Sequence, residues 1–210
     1  MIVKQDLRKL NLKNLLLISN KFKKYHCFVF YGTLLGLTRE NNIIRNDDDI
    51  DFLIDIKYKK KIIHEIKKLR LFKINKKNLN PYFIQLTRKF KNIKTFVDLY
   101  FYLNLPNKSY IEEKHNWLSF INSPKHSLFI PKNLIFPLKK NKKFPDVYFP
   151  NNKKNICRFL YGPDWKQPLI KNSGYRMEII NNKPKLIKRS FLGKITRSFK
   201  NLINNKFIKN

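Results

Sequence analysis

The chain has 210 residues, enough for one domain with a small appendage, and its 42% hydrophobic content, with 18 Phe and 10 Tyr, can fill a sizeable core. A formal charge of +32 invites a polyanion-binding reading, but only nine of the 46 basic residues are Arg and they are scattered, so the Lys-, Asn- and Ile-rich bias carries little information about a partner. Two cysteines, Cys27 and Cys157, exclude a disulfide framework and a Cys/His zinc pattern, and the apolar run at 15–18 is too short for a signal peptide or a membrane span, which fits a reducing cytosol.

Leu7, Leu10, Leu15, Ile18 and Phe22 recur near helical spacing, which predicts an amphipathic helix over 5–24 with a break in its apolar run at Asn14. The aromatic and β-branched stretch "HCFVFYG" then predicts a short strand ending at Gly32, and Thr33 is placed to cap a short helix, "LLGLTRE". "DDIDFLIDI" alternates and predicts a strand with a wet start, Asp49, Asp51, Leu53 and Asp55 on one face and Ile50, Phe52, Ile54 and Ile56 on the other. A surface helix over 57–70 follows, with Ile62, Ile63, Ile66 and Leu69 inward, and then strands in "LFKIN", "YFIQLTR" and "IKTFVDLYFYL". Residues 105–150, with His115, Trp117 and His126, are rich in Pro, Asn and Lys and predict irregular connections and hairpins; "NICRFLYG" predicts a helix stopping near Gly162. The four histidines share no ligand spacing.

Residues 47–51 hold four carboxylates in a strongly cationic chain, so something positive must neutralise them. Residues two apart on a strand project from one face with Cα atoms about 6.6 Å apart, so Asp49 and Asp51 can share one divalent cation. Asp98 is a lone charge in an apolar strand and asks for a partner, which makes it the third carboxylate. An all-carboxylate set favours Mg2+ or Mn2+ over zinc, and an EF-hand loop is excluded because its Gly and closing Glu are missing. The bland alternative is a solvated acidic loop. Arg39 can reach an anion or stand as an ordinary surface charge, and Tyr161, Gly162 and Trp165 form either an acceptor-facing loop or a structural turn.

"FYGTLLGLTRENNIIRNDDDIDFLI" resembles the signature of the LicD family, which includes fukutin and fukutin-related protein. "TFVDLYFY" is similar to the family's later Asp-containing strand, and "IFPLKKNKKFPDVYFPNNKKNICRFLYGPDWKQP" to its C-terminal stretch, so ordered landmarks cover about residues 26–168. The resemblance implies an α+β, nucleotidyltransferase-like fold, a mixed β-sheet flanked by helices with an irregular C-terminal portion. It implies transfer of a phosphorylated alcohol, phosphocholine or an alditol phosphate, from a CDP-activated donor to a cell-surface glycan or lipid-linked glycan acceptor. Carried over by position, Asp49, Asp51 and Asp98 are the metal-binding and catalytic carboxylates, with Asp48 as a further ligand, while Gly32, Thr33, Arg39, Tyr161 and Gly162 face substrate. Arg45 and Asn46 stand where the family often has Pro-Trp, and the zinc-binding cysteines of the larger animal members are lacking.

Two rival readings stand beside this one: a nucleotidyltransferase acting on a small molecule, and a non-catalytic basic module for nucleic acid or anionic lipid. Nucleic acid is the less favoured partner. A catalytic domain over 1–178 and a basic amphipathic tail over 179–210 are expected, with a Pro-containing linker around residues 183–185. Within residues 189–207, Phe191, Leu192, Ile195, Phe199, Leu202, Ile203 and Phe207 share a helical face opposite Lys194, Arg197, Lys200 and Lys206, a pattern suited either to docking on the domain's own core or to an anionic membrane surface. The expected location is the cytoplasm, peripheral at the inner face of the membrane.

Overall fold

The computed structural model describes residues 2–76, 80–114, 127–168 and 175–188, and it sets helices around one mixed sheet. Helix α1 (Ile2–Phe22) and a 3-10 turn (Lys23–Tyr25) lead into β1 (Phe28–Val29), α2 (Tyr31–Arg39) and β2 (Asp51–Asp55). A second 3-10 turn (Ile56–Tyr58) precedes α3 (Lys59–Lys67), β3 (Lys73–Ile74), β4 (Phe83–Phe90) and β5 (Ile93–Leu103). The remainder comprises β6 (Tyr110–Glu113), β7 (Leu128–Pro131), α4 (Lys132–Ile135), β8 (Lys139–Asn141), β9 (Phe144–Phe149), α5 (Lys153–Tyr161), β10 (Tyr175–Ile180) and β11 (Lys183–Lys188).

The main sheet runs β3-β4-β5-β2-β1-β9-β8, with β6 continuing from β5 and β7 from β6. Strand β2 lies inside it, parallel to β5 and antiparallel to β1. All five β2 residues are buried, so the strand has no wet face of the kind its alternation predicts. Flanked by partners at both edges and covered on both faces, a central strand buries its polar positions along with its apolar ones. Phe52, Leu53 and Ile54 there join Leu99, Phe101, Phe28 and Phe30 in the core, beneath Leu15, Ile18 and Phe22 of α1.

Differences from the sequence reading have local causes. The helix expected over 5–24 is α1, and Asn14, the polar break in its apolar run, is buried and hydrogen-bonded. Residues 105–150 supply β9, which runs parallel to β1 and so belongs to the main sheet. That pairing joins residues far apart in the chain, and no local pattern announces it. The segment read as a linker around 183–185 is β11, closed onto β10 by Asn181 and Asn182 at φ 50° and 61°, conformations that Asn tolerates in tight hairpin turns. The boundary drawn at 178 therefore falls inside β10. The tail over 189–207, and His115, Trp117 and His126, lie outside the described residues. Cys27 and Cys157 are free and buried. Among the described residues no helix is long and apolar enough to cross a membrane.

Candidate metal centre

The acidic cluster is held from three sides. From below, β1 turns directly into α2: Phe30 is extended, and Tyr31 already sits in the helix at a left-handed φ of 41°. A bulky side chain in that region costs on the order of 1–3 kcal/mol and persists only where the surroundings enforce it. The sharp turn lays Gly32 against the cluster, where an added Cβ would lie 3.2 Å from Asp51 Oδ2 and 3.3 Å from Asp47 Oδ2. Thr33 is not the helix cap expected from its position. Its N–H donates to Asp51 Oδ2 at 3.1 Å and its Oγ1 accepts from the Asp51 N–H at 2.8 Å, because the helix begins two residues earlier and points its first turn at β2.

From the side, the loop between α2 and β2 folds back on the helix at Gly36, whose missing Cβ would come within 2.8 Å of the Asn42 carbonyl oxygen. Asn46 takes φ 68° and the Asp47 N–H donates to the Ile44 carbonyl at 3.3 Å, so the chain turns immediately before the acidic run. From above, buried α1 polar groups reach in. Asn11 Nδ2 donates to the Asp47 carbonyl at 2.8 Å, Asn14 Nδ2 to Thr95 Oγ1 at 2.9 Å, and Arg88 donates to Asn14 Oδ1 at 2.8 Å. The parallel ladder also begins before β2 proper: the Phe96 N–H donates to the Asp48 carbonyl at 2.8 Å and the Ile50 N–H to Phe96 at 3.1 Å. Buried amides whose hydrogen bonds are met in this way hold a turn that its own charges would push open.

Asp51 stands opposite Asp98 in the β2–β5 register, on the same face of the sheet. Ligand oxygens of Asp49, Asp51 and Asp98 all lie within 4.8 Å of one another, and those of Asp47, Asp48 and Asp49 form a second such group sharing Asp49. Gln85, across from Asp98 on β4, donates from Nε2 to Asp98 Oδ1 at 2.9 Å. Burial, then the neighbouring charges of Asp49, Asp98 and Asp47, lift the Asp51 carboxyl well above the usual range, opposed by the Thr33 N–H. Asp98 is pushed up to about 7, again chiefly by burial, with Gln85 opposing and Asp49 and Asp48 adding repulsion. Among the described residues no Lys or Arg nitrogen pairs with Asp51 or Asp98. Two buried carboxylates, Asp51 and Asp98, drawn together with the half-buried Asp49 have the donor set that a hard divalent cation takes.

The other expected residues fall in different places. Tyr161, in the last turn of α5, has its phenol raised by burial and then by Asp51, Cys157, Asp47 and Asp49, which sets it beside the cluster. Gly162 ends that helix at φ 85° with open space where a Cβ would point, and its N–H donates to the Arg158 carbonyl at 2.8 Å. Arg39 lies in the last turn of α2, about 9 Å along the axis from Thr33, and pairs with Glu40 at 2.7 Å. Sequence reasoning missed Asn11, Gln85, Tyr100, Tyr31 and Glu113. Gln85 and Asn11 carried a faint signal, polar side chains at inward positions of otherwise apolar elements, whereas Tyr31 and Glu113 meet only through tertiary structure.

The family model described as LicD/FKTN/FKRP, nucleotidyltransferase domain, matches residues 24–152. The chain belongs to the LicD family. The match spans β1 to β9 and contains all the carboxylates of the cluster, so the LicD domain and the structural site coincide in the chain. A comparison with curated proteins gives no match. LicD membership supports a transferase-type enzyme acting on glycans in phosphoryl chemistry, and a general dependence on metal that the Asp cluster can meet.

Proposed function

We propose that this LicD protein transfers a phosphorylated alcohol, phosphocholine or an alditol phosphate, from a CDP-activated donor to a glycan or glycolipid acceptor. The observation that carries the reading is the convergence of Asp51 and Asp98 from two parallel strands with Asp49 from the segment just before β2. A basic binding module has no use for such a pocket of repelling charge.

Asp49, Asp51 and Asp98 would hold Mg2+ or Mn2+, with Asp48 as a further ligand from the adjoining group. When bound, the ion neutralises charge on the donor's diphosphate. The chain's own residues do the rest. Thr33 fixes one oxygen of Asp51, and Gln85 fixes one oxygen of Asp98. Gly32 keeps the floor of the site free of side-chain bulk, and Tyr161, at the end of α5, would face the acceptor. An acceptor hydroxyl forms the new P–O bond at the phosphorus bearing the alcohol, the bridging P–O bond of the diphosphate breaks, and CMP leaves with the bridging oxygen. The hydroxyl proton passes to the Asp98 carboxylate. Arg39 serves the phosphates only if it leaves Glu40.

The nucleotidyltransferase reading shares these carboxylates, and the family description favours keeping it as the second reading. Incubation with CDP-choline, CDP-ribitol and glycolipid extracts in Mg2+ or Mn2+ separates the two by product. CMP release with phosphoalcohol on the acceptor supports the first, CMP on the acceptor with release of free phosphocholine or ribitol phosphate the second, and neither product with any donor overturns both. For location we propose the cytoplasm at the inner membrane face, where residues 189–207 meet anionic lipid. The full chain should co-sediment with anionic vesicles, salt should weaken this, and replacing Lys194, Arg197 and Lys200 by Gln should abolish it; equal sedimentation of both proteins would sink the proposal.

A further inference from the structure

Resting on the metal site just proposed, we infer that Tyr31 and Glu113 form a positioning device that sets the Gly32–Thr33 turn, and through it the metal-binding geometry of Asp51. The buried Tyr31 hydroxyl donates to Glu113 Oε2 at 2.7 Å, joining the start of α2 to β6 across 82 residues of chain. Glu113 is itself almost fully buried, at 1% exposure, on a strand that pairs with the end of β5.

The Tyr31 ring is held on two further sides, edge-on to Phe30 at 4.9 Å and to Tyr100 at 4.8 Å between centroids. Tyr100 lies next but one to Asp98 on β5 and hydrogen-bonds to it, so the ring touches both walls of the site. The left-handed backbone at Tyr31 is the only positive φ in β1, α2 or β2. It is followed at once by the two residues that bear on Asp51, Gly32 by close approach and Thr33 by two hydrogen bonds.

A residue in this conformation relaxes toward negative φ when its side chain is released. Relaxation here would swing the first turn of α2 away from β2, lengthen the Thr33–Asp51 bonds and let the carboxylates spread. An ordinary core tyrosine has no need of a buried carboxylate acceptor or of this backbone. The pair acts on the site as outer-shell partners act on metal ligands, through orientation.

The test is Mn2+ titration calorimetry on the full chain, with thermal melting and steady-state kinetics on the same samples. Tyr31→Phe and Glu113→Ala should each weaken Mn2+ binding about tenfold and lower kcat more than they change the donor KM. Glu113→Gln, whose amide oxygen can still accept the Tyr31 hydroxyl, should recover most of the affinity lost in Glu113→Ala. If Tyr31→Phe fails to fold, the two Glu113 variants carry the comparison alone. Lower melting temperatures with wild-type Mn2+ affinity would overturn the inference, as would equal loss in Glu113→Gln and Glu113→Ala. A wild type that binds no Mn2+ overturns the metal reading as well; a wild type that binds it while the variants bind equally overturns this inference alone.

Discussion

Strand β2 begins and ends with an aspartate, and the two are equally buried, Asp51 at 5% exposure and Asp55 at 7%. Their surroundings differ. Asp55 accepts the Lys57 N–H at 3.0 Å, capping the 3-10 turn, and lies 3.4 Å from the Lys57 ammonium. Asp51 faces Asp49, Asp98 and Asp47, which raise its carboxyl well above the usual range along with burial. Burial of a carboxylate is thus no mark of function. The mark is a charge whose compensation the protein fold does not supply, and only one end of β2 has it.

The largest effect should separate these two ends by substitution. Asp51→Asn, or Asp49→Asn, removes a ligand charge and should lower turnover by roughly three orders of magnitude or more, with stability unchanged or raised as repulsion is relieved. Asp55→Ala should keep turnover within a few-fold and lose about 1 kcal/mol of stability with the cap. Kinetics and denaturant melts on both proteins check this, and comparable activity losses at the two ends would erase the distinction.

Next in size is the response to metal. Mn2+ at a hundred times its Kd should stabilise the wild type by about 2.7 kcal/mol, read as a rise in Tm, and leave the Asp49→Asn/Asp51→Asn double variant where it was. An equal rise in both proteins would mean that the ion binds elsewhere.

The third test is pH. Asp98 is pushed up to about 7 in the metal-free fold from an unfolded value near 4, so the folded state binds its proton more tightly than the unfolded chain does. That contribution is fully present below about pH 4 and is lost as pH rises through about 7. Metal-free protein should therefore lose stability across this window, Mn2+ should flatten the loss at its upper end, and Asp98→Asn should remove this part of it. Urea melts at several pH values decide the matter. A stability that rises between pH 5 and 7, with Asp98→Asn making no difference, would contradict the electrostatic description.

The smallest and most local contrast lies between two glycines of α2. Gly36→Ala drives a Cβ to within 2.8 Å of the Asn42 backbone oxygen and should cost about 1–3 kcal/mol of stability. Gly32→Ala meets only carboxylate oxygens at 3.2 and 3.3 Å, so it should barely move the Tm while weakening Mn2+ binding a few-fold. Melting and calorimetry on the pair would show whether the two close approaches serve the fold and the site separately.

Much of this was open to reading in one dimension. Alternating or continuous apolar runs mark β2, β4 and β5, the Gly-Thr pair marks a short helix there although α2 begins two residues before Thr33, and a lone acid in an apolar strand marks Asp98, since a buried charge needs a partner wherever it occurs. Periodicity also marks α3 by its inward Ile62 and Ile66, and the stop at Gly162 marks the end of α5. These are local signals, carried by spacing along a single element and by the cost of an uncompensated charge.

What the chain could not disclose alone is which elements meet. The β2–β5 register that places Asp51 opposite Asp98 is a choice among parallel alignments, and a slip of one residue would turn Asp98 to the other face. The recruitment of β9 beside β1, and of Asn11 on α1 to the Asp47 carbonyl, depends on packing between distant segments. Tyr31 shows the limit most clearly: its identity suggests a core aromatic, while its left-handed backbone and its bond to Glu113 exist only because the closed sheet brings β6 over the start of α2. Residue chemistry along the chain determined that carboxylates able to hold a cation gather near Asp49 and Asp51. Long-range pairing, whose energy is spread over many residues and tied to no local motif, decided what surrounds it.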